Sequence, residues 1–208
     1  MDQPVGEEVL YRTERLTVRR LGPGHVSDLV AVYGDRETVR WVDDGEPLSL
    51  EEAERWVEVT ERNYRLRGYG MAALTLTDTG EVVGFCGIVR PGGQEEDEVK
   101  YALLRSRWGQ GLATEAVEGM LAHGARRLGL EEIIATVAAE NDASLRVLHK
   151  VGMEPLGERE EEDGSITRIL RWVPSFGHRW RRKQRALGLC GKRAYRIQNC
   201  DDDKAAFT

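Results

Sequence analysis

The stretch EVKYALLRSRWGQGLATEAVEGMLAHGARRLGLEEIIATVAA (98–139) changes its hydrophobic period twice. Residues 98–106 have the apolar and aromatic content of a strand. From Gly111 the apolar residues Ala113, Val117, Met120, Leu121, Ala125 and Leu128 recur at helical spacing. EEIIATVAA (131–139) is β-branched and reads as a strand again. Strand, helix and strand joined by short links imply a parallel crossover. Between the first strand and the helix lies RWGQGLATEA (107–116), which is nearly bare of side chains around its two glycines. Glycine loses backbone entropy on folding and supplies no packing, so the segment is either an ordinary tight turn or a place where a ligand approaches the main chain. A helix N-terminus exposes unpaired N–H groups and the positive end of the macrodipole, on which an anion such as phosphate can dock. The turn is therefore a candidate pyrophosphate cradle. It is not a P-loop, because no Gly-Lys-Ser/Thr closes it, and it lacks the glycine spacing of a dinucleotide fingerprint.

Working outward, LYRTERLTVRRL (10–21) alternates as one first strand, and GPGHVSDLVAVYGD (22–35) reads as a break and a short helix. LSLEEAERWVEVTERNYRLRG (48–68) is a helix with Ser49 as N-cap, Glu52 three residues on and Gly68 as its stop. YGMAALTLTD (69–78) and EVVGFCGIVRP (81–91) form a hairpin through Thr79 and Gly80, and strand 98–106 completes an antiparallel meander. Downstream, NDASLRVLHKVGM (141–153) is a short helix that starts at Asn141 or Asp142 and stops at Gly152. EPLGEREEEDGSITRILRWV (154–173) is a last hairpin turning at Asp163 and Gly164. The fold class is α+β, a mixed sheet flanked by helices.

At 208 residues the chain fits one domain with room for an appendage. Its charged content of 32% is high, but the apolar residues fall in periodic blocks, which argues for a globular protein over disorder. No apolar run approaches the roughly 18 residues needed to span a bilayer, and MDQPVGEEVL lacks the basic start and apolar stretch of a secretory signal, so the expected address is the cytoplasm. Cys86 lies in an apolar strand, while Cys190 and Cys200 are far from any partner at metal-ligand spacing. Neither a metal site nor a required disulfide is expected. The net charge of −6 is uneven: eight Lys/Arg and no acid fall between His178 and Arg196, leaving an acidic body that favours a cationic substrate over nucleic acid. The segment 174–208 reads as a basic, flexible tail outside a domain of 8–173, either solvated or engaging RNA or an acidic lipid surface.

WGQGLATEA (108–116), followed by AENDASLRVLHKVGM (139–153), resembles the GNAT superfamily of acetyl-CoA-dependent N-acetyltransferases, in the branch similar to ribosomal-protein N-terminal acetyltransferases. TERLTVRRL (13–21), RWVDDGEPLSLEEAERW (40–56), TGEVVGFCGI (79–88) and EVKYAL (98–103) match that branch in order and spacing, over roughly residues 8 to 173. The resemblance implies a GNAT-like acyl-CoA N-acyltransferase fold, a largely antiparallel sheet with one parallel strand pair at the cofactor cleft. It implies acetyl-CoA as cosubstrate, no metal, and an amine acceptor: a protein N-terminus, such as that of a ribosomal protein, or a small amine. Trp108 stands at the first place of the family's pyrophosphate motif, where Gln or Arg is usual, with Gly111 at the fourth and Ala113 at the sixth. The implied contacts are the backbone amides of Gln110, Gly111, Leu112, Ala113 and Thr114, so loss of the polar side chain at 108 should weaken the site little. By the same resemblance, the backbone of Leu103 and Leu104 meets the pantetheine arm, and Asn141 and Ser144 lie beside the pantetheine and the thioester sulfur. Lys100, where the branch often has glycine, is expected on the solvent face of its strand or in the acceptor pocket, and His149 stands where glutamate is frequent.

An alkyl ammonium with a pKa near ~10 must lose a proton before it attacks a thioester. A base is wanted, and Glu98 occupies the branch's usual glutamate position; otherwise it simply begins an exposed strand. The departing thiolate is helped by a hydroxyl donor. Ser144 fits that role by family position, with Tyr101 as the alternative, while a helix-start hydroxyl bound to backbone is the plainer account of Ser144. Cys86 is not a candidate nucleophile, having no histidine near it in sequence. The competing function class is a catalytically silent CoA-binding regulatory module, or one associated with RNA or the ribosome through the basic tail. The sequence leaves monomer and homodimer open.

Overall fold

The computed structural model describes residues 8–42 and 45–174, so the expected tail from 175 onward lies outside the described residues. One eight-stranded sheet runs β1-β2-β3-β4-β5-β6-β8-β7, with strands β1 Val9–Arg12, β2 Leu16–Arg20, β3 Met71–Leu76, β4 Val82–Val89, β5 Glu98–Leu103, β6 Ile133–Ala138, β7 Glu154–Glu160 and β8 Ile166–Trp172. Every neighbouring pair is antiparallel except β5 and β6, which are parallel. Among the described residues five helices cover the sheet: α1 Val26–Tyr33, α2 Arg36–Val39, α3 Leu50–Arg67, α4 Leu112–Arg127 and α5 Asp142–Lys150.

Strand alternation sends side chains to two separate cores. On one face Leu74, Cys86, Ile88 and Val99 pack with Val117, Leu121 and Leu148 of α4 and α5. On the other, Ala73, Phe85 and Ala102 pack with Leu29, Val32, Trp56 and Val57 of α1 and α3. Helix α3 forms where the sequence signals it. Ser49 accepts from the Glu52 N–H at 3.3 Å, Glu52 accepts from the Ser49 N–H at 2.8 Å, and Gly68 ends the helix at φ 81°.

Three expectations need correction. The segment 10–21 is not one strand but a hairpin: Thr13 N–H donates to the Leu16 carbonyl at 2.8 Å and its hydroxyl accepts from Leu16 N–H at 3.0 Å, turning the chain through Glu14 and Arg15. Strand β5 ends at Leu103 rather than 106, because a 3-10 turn over Arg105–Arg107 starts the glycine loop early. The buried face of α4 is Leu112, Ala116, Val117, Met120, Leu121 and Gly124, rotated from the expected stripe. A Cβ at Gly124 would stand 2.7 Å from Ile88 and 2.9 Å from Ile133, so small residues let this helix sit close on the sheet.

Gly84 of β4 faces Leu103 of β5, and a Cβ there would lie 2.4 Å from the Ala102 carbonyl oxygen and 2.8 Å from Leu103 Cα. Both obstacles are backbone. Gly84→Ala should therefore lower the unfolding free energy by about 2 kcal/mol in a urea titration, the scale of an overpacked core; an unchanged midpoint would mean that β5 moves freely.

Candidate active site

The parallel pair β5 and β6 is joined by a single register pair, Glu98 with Ile134, where the Ile134 N–H donates to the Asp97 carbonyl at 2.8 Å. A ladder that continued would carry the Thr136 N–H to the carbonyl of Val99. Instead the Glu98 Oε1 accepts it at 3.1 Å and also takes the Thr136 hydroxyl, and no further register pair follows. Beyond this point β5 stays with β4 and β6 stays with β8, leaving a seam between them. Asp97 fixes its vertex, accepting from Arg90 Nε at 2.7 Å and from the Tyr69 hydroxyl. Burial, then the hydrogen bond to Asp97, pushes the Tyr69 phenol up to about 12, so it remains a donor.

Glu98 is 1% exposed, which excludes its reading as the start of an exposed strand. Besides Thr136, Lys100 Nζ lies 3.0 Å from Oε1 and Gln94 Nε2 donates to Oε2 at 3.2 Å. Lys100 is not on an open solvent face: two residues on from Glu98 it points the same way, reaching also to Thr136 Oγ1 at 3.4 Å. A buried carboxylate needs such partners to stay charged. This cluster lies on the α1/α3 side of the sheet, with Ala102.

On the opposite side of β5, the Tyr101 hydroxyl is 2.6 Å from Ser144 Oγ and 3.3 Å from the Ser144 carbonyl oxygen. Asn141 holds Ser144 at the start of α5 by accepting its N–H at 3.0 Å, so the Asn-to-Ser spacing is that of a helix cap. Burial pushes the Tyr101 phenol up against the smaller lowering by Ser144, keeping it protonated at neutral pH. Either hydroxyl can donate in the shared hydrogen bond, and when Tyr101 is the donor the Ser144 proton is left for a third group.

The glycine loop closes the open end of the seam. Helices α2, α3 and α5 carry side-chain caps from Asp35, Ser49 and Asn141, whereas α4 begins at Gly111 without one. Gly109 and Gly111 adopt φ 73° and 78°, and the N–H groups of residues 110–114 find no acceptor among the described residues. A Cβ at Gly109 would meet nothing within 4 Å, and one at Gly111 only Arg15 Nη2 at 3.5 Å, so packing does not require either glycine's bareness. Left-handed geometry and open N–H groups fit a diphosphate laid on the backbone. Leu103 and Leu104 separate here. Leu104 donates its N–H to Val83 at 2.9 Å and accepts from Arg107 at 2.8 Å, so its backbone is engaged within the protein, and by alternation Leu103 turns its own edge to the seam. Trp108 does more than vacate a polar position: its Nε1 donates to the Leu103 carbonyl at 2.9 Å, tying the loop to the strand.

Sequence reasoning did not single out Gln94, Thr136, Arg15 or Glu115. Thr136 was recoverable, because the parallel crossover puts β6 beside Glu98. A cavity of about 480 Å³ between α5 and the last hairpin, lined in part by Leu145, His149, Pro155 and Ile169, includes none of the expected site residues. Cys86 is fully buried, and burial pushes its thiol up, away from the reactive thiolate. Among the described residues there is no group of three or more His, Cys, Asp or Glu able to hold a metal, and no helix long and apolar enough to cross a membrane.

Comparison with known proteins agrees with the fold. Residues 15–154 match the model of the acetyltransferase (GNAT) domain. The chain is 29% identical over 167 residues to an uncharacterized N-acetyltransferase, p20, of Bacillus licheniformis, covering 78% of this chain and 92% of that one. Its fold is similar to that of RimL, a ribosomal L7/L12 α-N-protein acetyltransferase solved with coenzyme A, at TM-score 0.69 and 20% identity over 80% of this chain and 98% of the other. A Salmonella typhimurium acetyl transferase that modifies the N-terminal serine of L7/L12 matches at TM-score 0.69 and 19% identity, over 81% and 100% of the two chains. With a family model spanning most of the domain and a sheet of the same build, the chain belongs to the GNAT family of acetyltransferases and is an N-acetyltransferase.

Proposed function

We propose that the protein transfers an acetyl group from acetyl-CoA to a primary amine by direct attack, with Glu98 accepting the amine proton and the CoA sulfur leaving as a thiolate stabilised by a hydrogen bond from the Ser144 hydroxyl. The observation that carries this reading is the pair of polar groups on opposite sides of one seam: a carboxylate on the α1/α3 side and a hydroxyl pair on the α4/α5 side. Acetyl-CoA, when bound, supplies the activated acyl thioester. The backbone N–H groups of 110–114 hold its diphosphate, and the seam-facing N–H of Leu103 and the start of α5 at Asn141 flank its pantetheine arm.

The rest follows from this chain's own groups. Glu98 Oε1 is occupied by the Thr136 N–H, the Thr136 hydroxyl and Lys100, so the proton is taken at Oε2, where Gln94 is the sole donor among the described residues. Tyr101 donates to Ser144 Oγ, which orients the serine proton toward the sulfur, and the raised phenol keeps that donor in place through the neutral range. The acceptor is a peptide N-terminus or a small amine. Neighbours that act on ribosomal L7/L12 support the first class, and a screen of peptide N-termini and small amines for acetyl-CoA consumption, with product masses, decides between them.

Gly111→Val places a branched side chain at a left-handed position over the open N–H groups, and should weaken acetyl-CoA binding at least about tenfold. Calorimetry on the folded variant checks this, and an unchanged affinity would remove the loop from cofactor binding. Glu98→Gln keeps size and hydrogen bonding but removes basicity, so turnover should fall roughly 10²-fold at neutral pH with acetyl-CoA affinity retained. That loss should shrink as pH rises, because solvent then supplies neutral amine. Ser144→Ala should show a deficit that high pH does not rescue. A pH-rate series on both variants tests the division of roles, and full activity of Glu98→Gln at neutral pH would reassign the base.

A further inference from the structure

Glu115, the fourth residue of α4, is an unexpected group to find one turn from a seat for a diphosphate. A carboxylate in the first turn stabilises an empty helix N-terminus, but it also cancels the potential that would attract a second anion. Here it is answered from 100 residues away. Arg15, in the turn between β1 and β2, donates its backbone N–H to Glu115 Oε1 at 2.8 Å and its Nε to Oε2 at 2.7 Å, with Nη2 also 2.7 Å from Oε2. Thr13 adds its hydroxyl to Oε1 at 2.6 Å. The remaining arm, Arg15 Nη1, donates to the carbonyl of Gln110 at 2.8 Å. That oxygen belongs to the glycine loop itself, and a lone pair directed into the cradle would repel phosphate. Two stretches that the resemblance matches, TER at 13–15 and TE at 114–115, thus meet in one cluster that the catalytic reading leaves unused.

We propose that Arg15 is a positioning residue for the cofactor: it neutralises Glu115 and holds the Gln110 carbonyl outward, so that the N-terminus of α4 keeps its positive potential for the diphosphate. The fork geometry suits this task better than a lysine would, because one guanidinium engages a carboxylate through two nitrogens and a carbonyl through the third. Burial alone would push the Glu115 carboxyl up, but Thr13, the Arg15 amide and the guanidinium together hold it below the ordinary range. Glu115 is therefore charged throughout the neutral range, and its effect on a bound anion depends on its counter-ion.

The inference rests on the glycine loop being the diphosphate seat, and one experiment separates the two. Coenzyme A and pantetheine, which lacks the diphosphate, are titrated against the full chain and its variants. Coenzyme A should bind the wild type more tightly; equal affinity for both would overturn the diphosphate seat itself, whatever Arg15 does. Arg15→Met should weaken coenzyme A at least about tenfold while changing pantetheine less than about twofold, and the double variant Arg15→Met with Glu115→Gln should recover most of the loss. A double variant as weak as Arg15→Met would overturn the proposal in favour of direct contact between Arg15 and phosphate. Equal weakening of both ligands would also overturn it, as general damage to the site. If Arg15→Met fails to fold, Glu115→Gln alone still decides: coenzyme A affinity held or improved supports the proposal, and a tenfold fall overturns it.

Discussion

The Glu98 carboxylate takes the Thr136 N–H that a parallel ladder would have given to another strand, and the rest of the site depends on that substitution. Opening a sheet between two strands strips backbone groups of their partners, and each must be answered by a side chain, water or ligand. Glu98 answers one group at the vertex. The Trp108 indole answers another at the far end, on the Leu103 carbonyl. Between these ties the edges of β5 and β6 face each other unladdered, and a ligand with amide groups of its own can lie there.

Holding the seam in this way introduces buried negative charge at Glu98 and Asp97 and a partly buried one at Glu115, and each is matched. The Glu98, Asp97 and Glu115 side chains are 2%, 9% and 16% exposed, and they pair with Lys100, Arg90 and Arg15 respectively. Removing one member of a buried pair leaves an uncompensated charge, which destabilises far more than the intact pair stabilises. The three pairs also make the surroundings of the seam close to neutral, although the described body of the protein is acidic overall. Its polarity is set locally, by the Tyr101–Ser144 hydroxyls on one side and the Glu98 cluster on the other.

Much of this was legible in the sequence, for reasons that differ by element. Helix α3 announces itself through Ser49, Glu52 and Gly68, and the hairpins at Thr79–Gly80 and Asp163–Gly164 carry explicit turn residues. The β1–β2 turn does not, because Glu14 and Arg15 have no turn signature and the Thr13 side chain does the work of closing it. Lys100 was readable, since strand alternation places it on the side of Glu98, but its pairing depended on that side being buried. The rotation of α4 escaped because Ala116 and Gly124 contribute closeness rather than hydrophobicity. Arg15 with Glu115 could not be read at all: nothing local to either residue signals a hairpin turn docked on a helix 100 residues on.

The uncapped start of α4 has a consequence for the lifetime of the protein. Four helix N–H groups without a side-chain cap are a local weakness in the ligand-free molecule, and whatever anion fills that place adds its binding free energy to folding. At a ligand concentration one hundred times its dissociation constant that linkage is worth about 2.7 kcal/mol. If the proposed diphosphate seat at these N–H groups is filled by the acyl donor, the abundance of the chain in a cell, where transiently opened molecules are degraded, would follow the supply of that donor.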